Sequence, residues 1–360
     1  MYIAELSDIQ PYSLHKADKE KLLEPILTSL SRHHYANCAS YRKMMDGIGF
    51  DPKKDYPAVD LMFLPVQLFG MIELCSVPKE EIVRTLTSSG TSGQARSLIF
   101  LDRETAANQT KVLTKIMSSF IGTKRAPMII LDSESVIKNR TFLSANAAAI
   151  SGFSIFGSKR VFVLNERMEL NTELLETFIR QHKGESILLF GFTYKVYQHF
   201  YKELIKGGIR PDLSNAVLIH GGGWKKLENE SVSSKEFNKK LNDVCGIRRV
   251  YNYYGMVEQT GSIYMECEYG HFHTSVFSDI IIRRAHDFSP ADVGEEGIIQ
   301  VLSILPKSYP GHSLLTEDKG ILLGEDDCPC GRSGKYLKVT GRLEHAEIRG
   351  CSDTYDGKIN

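Results

Sequence analysis

The chain has 360 residues, 42% hydrophobic and 24% charged, with 44 basic and 44 acidic side chains. That balance removes the global basic field on which a nucleic-acid binder relies, and gives no electrostatic reason to seek an anionic membrane. No apolar run approaches the roughly 18 residues that span a bilayer, and the N-terminus carries acids and no long apolar core, so neither an integral membrane segment nor a signal peptide is predicted.

A cytoplasmic protein follows from this reading, and cysteine usage agrees. The seven cysteines, at 38, 75, 245, 267, 328, 330 and 351, are odd in number and scattered, which argues against a disulfide framework. From the N-terminus, Leu22, Leu23, Ile26, Leu27 and Leu30 share one face at helical spacing. Prolines at 52, 57 and 65 then suit an extended connector better than a helix.

From about residue 85 strands and helices alternate. SLIFLD leads into ETAANQTKVLTKIMSSFIG, a helix that Asp102 can cap. APMIILD, RVFVLN, ILLFGF and AVLIHGGG are short apolar runs rich in β-branched residues. Between them lie segments of helical spacing such as NTELLETFIRQHK and SKEFNKKLNDVC. This alternation predicts an α/β fold with a partly parallel sheet, whose ligands bind beyond the carboxyl ends of the strands. After about 275 the runs FSDIIIRRAHD, EEGIIQVLSIL and KGILLGE predict an appended antiparallel β segment.

Five stretches carry chemistry. TSSGTSG, Thr87 to Gly93, concentrates hydroxyls and unhindered backbone; either a flexible loop or an anion cradle satisfies that composition. HGGGWKK (220–226) lets backbone approach a ligand or another strand, and in YNYYGMVEQTGS (251–262) Glu258 follows Tyr254 by four residues. LLTEDKG places Asp318 in an expected turn, and GRLEHAEIRG sets Arg342 after glycine. Separately, CEYGHFH and CPCGR offer sulfur and imidazole donors for a tetrahedral metal site, or reduced loop cysteines with no ion.

The order of these motifs resembles the adenylate-forming ligases. Their wording, together with PVQLFG, LLFGFTY, SYPGHSLLTEDKG, CPCGRSGKY and the final RGC, resembles the LuxE-type acyl-protein synthetases, relatives of the phenylacetate-CoA ligases. The resemblance implies the fold of the large N-terminal domain of those enzymes. A helical lead-in packed on the core would occupy 1–84, the adenylate-forming core 85–342 with a zinc-binding insertion over about 265–335, and a short tail 343–360.

It also implies roles for particular residues. Thr87, Ser88, Ser89, Gly90, Thr91, Ser92 and Gly93 would hold the β- and γ-phosphates of ATP, with Arg96 where many relatives place a Lys. Gly222, Gly223, Tyr254 and Gly255 would face the adenine, Glu258 would bind Mg²⁺, Asp318 the ribose hydroxyls, and Arg342 the ribose or α-phosphate. Cys267, Cys328, Cys330 and His273, preferred over His271, would hold structural zinc. Phe190, Phe192 and Trp224 are candidates for the acyl pocket, though aromatics at such positions are more often core.

The chain ends 18 residues after Arg342, where typical acyl-CoA ligases continue into a mobile lid domain, so that lid is expected to be absent. The same resemblance makes Cys351 the expected acyl acceptor, its thiolate favoured by the neighbouring Arg349; the other reading is a tail cysteine with no role. The implied activity is ATP-dependent activation of a carboxylic acid, by the family's default a fatty acid, to an acyl-adenylate with release of pyrophosphate. Transfer to the cysteine and delivery to a partner such as an acyl reductase would follow. The alternatives are a ligase that loads coenzyme A or an acyl-carrier protein, and a non-catalytic nucleotide-binding subunit of a biosynthetic complex.

Overall fold

The computed structural model describes residues 5–88, 96–137, 142–224 and 230–343. They fall into two compact units, one formed by residues up to 120 together with those from 255, the other by residues 121–254.

The second unit is built on a parallel sheet. Its strands run in the order Gly157–Leu164, Ala126–Ser133, Leu188–Phe192, Val217–Gly221, Arg249–Tyr254. Every residue of Leu188–Phe192 and Val217–Gly221 is buried, the near-continuous apolar reading of strands covered on both faces. On one face Ile129, Leu131, Leu189 and Leu218 pack with Leu175, Phe200 and Leu241 from the flanking helices. On the other, Phe190 stacks on Phe153 at 4.4 Å, and Tyr253 lies 4.9 Å from the same ring. Helix Thr172–Gln181 begins where the Asn171 side chain accepts from the Leu174 amide, and Ser234–Cys245 where Ser233 accepts from Glu236, each satisfying an orphan N–H of the first turn. Gly246, at φ +77°, closes the latter helix in a left-handed cap that glycine adopts without a Cβ clash.

The first unit carries the antiparallel material expected after 275. Ser278–Arg283, Glu296–Ser303, Ser313–Glu325, Lys335–Arg342, Phe272–His273 and Tyr264–Glu266 follow one another across its sheet. Strands Ile82–Thr87 and Leu98–Asp102 pair antiparallel, and Asp102 caps helix Arg103–Ile121 by accepting from the Thr105 amide at 2.8 Å. The connector with three prolines is irregular, broken by 3₁₀ turns at Ala58–Asp60 and Val66–Gly70. No helix among the described residues is long and apolar enough to cross a membrane.

Helix Lys16–Asn37 is fixed to this sheet by buried polar groups as well as by leucines. Lys19 Nζ donates to Thr274 Oγ1 at 2.6 Å and meets Asp279 Oδ1 at 3.4 Å, while Lys335 Nζ reaches the other Asp279 oxygen at 2.8 Å. Charges buried this way cost several kcal/mol to desolvate and persist only when paired, so the network specifies how the helix docks more than it stabilises. Further along the helix, His34 stacks on His312 at 5.0 Å. His34 shares a proton with Ser76 at 2.8 Å, and His312 with Ser31 at 2.8 Å.

Candidate active site and cysteine–histidine cluster

Asp318 does not lie in a turn. It is within the long strand Ser313–Glu325 and pairs directly across from Arg342 in the neighbouring strand. TEDKG is polar enough to read as a break, yet cross-strand partners sustain it: Arg342 Nε donates to Asp318 Oδ1 at 3.0 Å, and Nη2 approaches Glu317 Oε2 at 3.4 Å. Gln67 holds the other Glu317 oxygen at 2.6 Å, and the Thr316 hydroxyl accepts from the Asp318 amide at 3.1 Å. Arg342 remains about one-third exposed and Asp318 less, so an anion from solvent can reach the guanidinium without the pair dissolving.

Glu258 sits in the 3₁₀ turn Val257–Gln259 and is 7% exposed. This turn is braced from the sheet side. Tyr309 donates to the Glu258 carbonyl at 2.8 Å, and the Gln259 side chain donates from Nε2 to Gly311 O at 2.8 Å and Val301 O at 3.2 Å. Gly311 is required here, since a Cβ would stand 2.3 Å from the Tyr309 ring and 2.9 Å from the Glu258 carbonyl. Gly261 is equally constrained, at φ +90° with a Cβ position 2.8 Å from the Gln109 backbone. Burial and the nearby Glu258 charge raise the Tyr309 phenol, which therefore stays a donor. Tyr309, Gly311 and Gln109 were missed as site residues. SYPGHS was visible as a motif, but its role as a brace is a tertiary fact.

At the hydroxyl-rich loop, Thr87 is buried at the end of its strand. Ser88 and Ser97 bind each other, amide to carbonyl at 3.3 Å and amide to hydroxyl at 3.0 Å, pinning the two ends of the loop together. Arg96 is exposed beside Ser97. Ser89, Gly90, Thr91, Ser92 and Gly93 lie outside the described residues, as does Cys351.

In the second unit the glycine run ends strand Val217–Gly221. Gly222 adopts φ +72°, and a Cβ on Gly223 would meet nothing within 4 Å, leaving its backbone open to a ligand. Gly221 is the tight position: a Cβ would fall 2.4 Å from the Tyr253 ring. Tyr253 faces the core, so pleating turns Tyr254, the last residue of its strand, to the opposite side. The unit boundary follows Tyr254, so Gly255 and Glu258 belong to the first unit and Tyr254 to the second. Phe190 and Phe192 are buried in the core, and Trp224 rests on Tyr197 at 4.9 Å and Phe237 at 5.9 Å.

The cysteine–histidine residues do converge. Donor atoms of Cys267, His273, Cys328 and Cys330 lie within 4.8 Å of one another. Zn–S bonds of about 2.3 Å set donors at tetrahedral corners about 3.8 Å apart, so these residues fit such an ion with modest contraction. Two local folds supply the ligands. In the hairpin of Tyr264–Glu266 and Phe272–His273, the Cys267 amide donates to His271 O at 2.9 Å. In the CPCGR turn, the Gly331 amide donates to Cys328 O at 2.9 Å and Gly331 takes φ +78°.

His273 Nε2 is 3.3 Å from Cys330 Sγ. His271 stands outside that group of four; its ring stacks on Tyr336 at 5.0 Å and its Nδ1 is 3.4 Å from Cys328 Sγ. Burial, with neighbouring thiols adding, pushes Cys328 up to about 12. Burial raises Cys330 too, but the Arg332 amide and guanidinium outweigh it and bring that thiol below its ordinary value.

Comparison with solved structures places this fold. A 2-hydroxyisobutyryl-CoA ligase in its postadenylation state, in complex with 2-HIB-AMP, superposes with a TM-score of 0.71 at 14% identity, over 93% of this chain and 70% of that one. A long-chain-fatty-acid-CoA ligase from Archaeoglobus fulgidus matches with a TM-score of 0.51 at 14% identity, over 74% of this chain and 52% of that one. The architecture is that of the N-terminal domain of adenylate-forming ligases. Among curated proteins, the long-chain-fatty-acid–luciferin-component ligase of Vibrio harveyi is 22% identical over 95% of this chain and 89% of its own. That of Aliivibrio fischeri is 24% identical over 81% and 77%. The family model for acyl-protein synthetase, LuxE, matches residues 3–360, and the chain belongs to that family of ATP-dependent acid ligases.

Proposed function

We propose that this chain activates a fatty acid with ATP and passes the acyl group to Cys351 for delivery to a partner protein such as an acyl reductase; the relatives are named as ligases of a luciferin component. A carboxylate oxygen attacks the α-phosphorus, the new O–P bond forms as the bond to pyrophosphate breaks, and an acyl-adenylate results. Thiolate attack on the acyl carbon then expels AMP. Two anions must be brought together in the first step, so donors fixed in advance are what the protein has to supply.

The observation that carries this reading is the Asp318–Arg342 pair at 3.0 Å on adjoining strands. Backbone register holds side by side a carboxylate that would bind the ribose hydroxyls and a guanidinium that would meet the ribose or α-phosphate. Thr87, Ser88 and the loop up to Gly93, with Arg96, would take the β- and γ-phosphates. Gly222, Gly223 and Tyr254 would contact the adenine, and the same contact is proposed for Gly255. Glu258 offers the hard oxygen that Mg²⁺ prefers, and that ion would offset phosphate charge. Cys267, His273, Cys328 and Cys330 would hold zinc with no open ligand position, a structural role. A cytoplasmic location suits such an enzyme.

Intact mass after incubation with ATP and a long-chain acid tests the second half. An acyl adduct on the wild type that is missing from Cys351→Ser supports the assignment. An adduct retained in that variant removes Cys351 and points to another acceptor. Acid-dependent pyrophosphate exchange with no adduct at all favours a soluble acceptor, coenzyme A or a carrier protein.

A further inference from the structure

Strand Leu188–Phe192 lies between Ala126–Ser133 and Val217–Gly221, and the turn Thr193–Lys195 follows it at the carboxyl edge of the parallel sheet. Two buried side chains leave this turn for opposite neighbours. Lys195, fully buried, donates to Asp132 Oδ2 at 2.7 Å at the end of one strand. Asp132 also accepts from the Ser133 amide at 2.8 Å and from Asn146 at 3.3 Å. Thr193 reaches the other strand, where its hydroxyl donates to Gly221 O at 3.1 Å and lies 2.9 Å from His220 Nδ1.

A hydroxyl has one proton. With that proton on Gly221 O, the 2.9 Å contact is made by the imidazole donating from Nδ1. Burial, which pushes the ring down to about 3, keeps it neutral. Gly221 O belongs to the same peptide plane as the Gly222 amide. Holding that oxygen therefore aims the Gly222 N–H and sets the entry to its φ of +72°. Straight after Lys195 the helix widens into a π turn, Val196–Tyr201, a departure that recurs at functional sites.

We propose that Thr193 is a positioning residue for nucleotide selectivity: anchored by the Lys195–Asp132 pair, its hydroxyl fixes the Gly221–Gly222 peptide so that the glycine turn presents its backbone to adenine. This rests on reading that turn as the base-binding backbone. A purely structural role would weaken all nucleotides together and lower stability. A positioning role acts on the base edge, so it separates ATP from GTP.

The test is calorimetric binding of ATP and of GTP to wild type, Thr193→Val and Thr193→Ser, with Thr193→Ala measured in place of the valine variant if that one does not fold. Losing one neutral hydrogen bond predicts about a tenfold loss of ATP affinity. GTP affinity should be little changed, the serine variant should recover the ATP preference, and KM for the acid should hold. Equal losses for both nucleotides, or no loss at all, would overturn the proposal. If the wild type binds no ATP, the proposal falls with the reading of the turn. If it binds ATP yet catalyses no exchange, acid activation fails alone and the ATP-to-GTP ratio still decides the role of Thr193.

Discussion

The cysteine–histidine cluster and the nucleotide-binding candidates are built in contrasting ways. Four candidate metal donors converge within 4.8 Å inside one unit, three of them sulfurs on two tight turns held by amide hydrogen bonds, the fourth His273 on the adjoining strand. The nucleotide-binding candidates sit on separate elements within each unit: Asp318, Arg342 and Glu258 in the first, Gly222, Gly223 and Tyr254 in the second. Each of these is positioned by a different device: a cross-strand pair, a braced 3₁₀ turn, a left-handed glycine. A cluster of the first kind can be lost by removing any one ligand. Residues placed one by one, as the second set are, should lose function in proportion to the group removed, while the fold survives.

The sharpest way to break this contrast is to remove the candidate metal ligands. Cys328→Ser and Cys330→Ser should lose bound zinc by elemental analysis and unfold the first unit at ordinary temperature, because structural zinc supplies on the order of 10 kcal/mol in small sites. A protein that binds no zinc, and in which these variants melt as wild type does, would make the cluster a set of reduced thiols.

Next in size are Arg342→Ala and Asp318→Asn. Loss of one preorganised electrostatic partner predicts a fall of about 10²–10³ in kcat/KM for pyrophosphate exchange. Melting should barely move, since a partly exposed ion pair contributes about 0–1 kcal/mol. Equal activity, or a large stability loss, would place the pair among the fold's supports.

The smallest effect concerns the brace. Burial holds His312 down to about 3 and His34 well below its ordinary value, so both stay neutral in the folded protein. An unfolded histidine titrates near 6.5, so below that pH the unfolded chain binds more protons and stability falls as pH falls. The contribution is fully present above about 6.5 and is lost progressively down toward 3, about 2 kcal/mol per ring between pH 7 and 5. Denaturant titrations of His312→Gln should show a shallower decline over that window than wild type. An unchanged slope would mean the ring does not titrate with unfolding.

Much of the α/β alternation was legible because buried parallel strands are short apolar runs and the helices between them are amphipathic with polar caps. Asp102 as a helix cap could be read directly, since the cap is three residues from the amide it serves. Asp318 was misplaced because TEDKG has the composition of a turn, whereas its strand is sustained by Arg342, 24 residues away. The convergence of the Cys/His donors was suggested by paired motifs. Lys195 buried against Asp132, and Tyr309 braced under Glu258, could not be read at all, because both depend on partners 51 or more residues distant. Local chemistry leaves a local signature; braces between distant segments do not.

ATP–pyrophosphate exchange across a panel of carboxylic acids, on wild type and Asp318→Asn side by side, tests the central claim most directly. Acid-dependent exchange, strongest with long-chain acids and reduced a hundredfold or more in the variant, is the predicted result. Exchange indifferent to the acid, or none with any acid despite bound ATP, would contradict acid activation and leave a nucleotide-binding subunit as the better description.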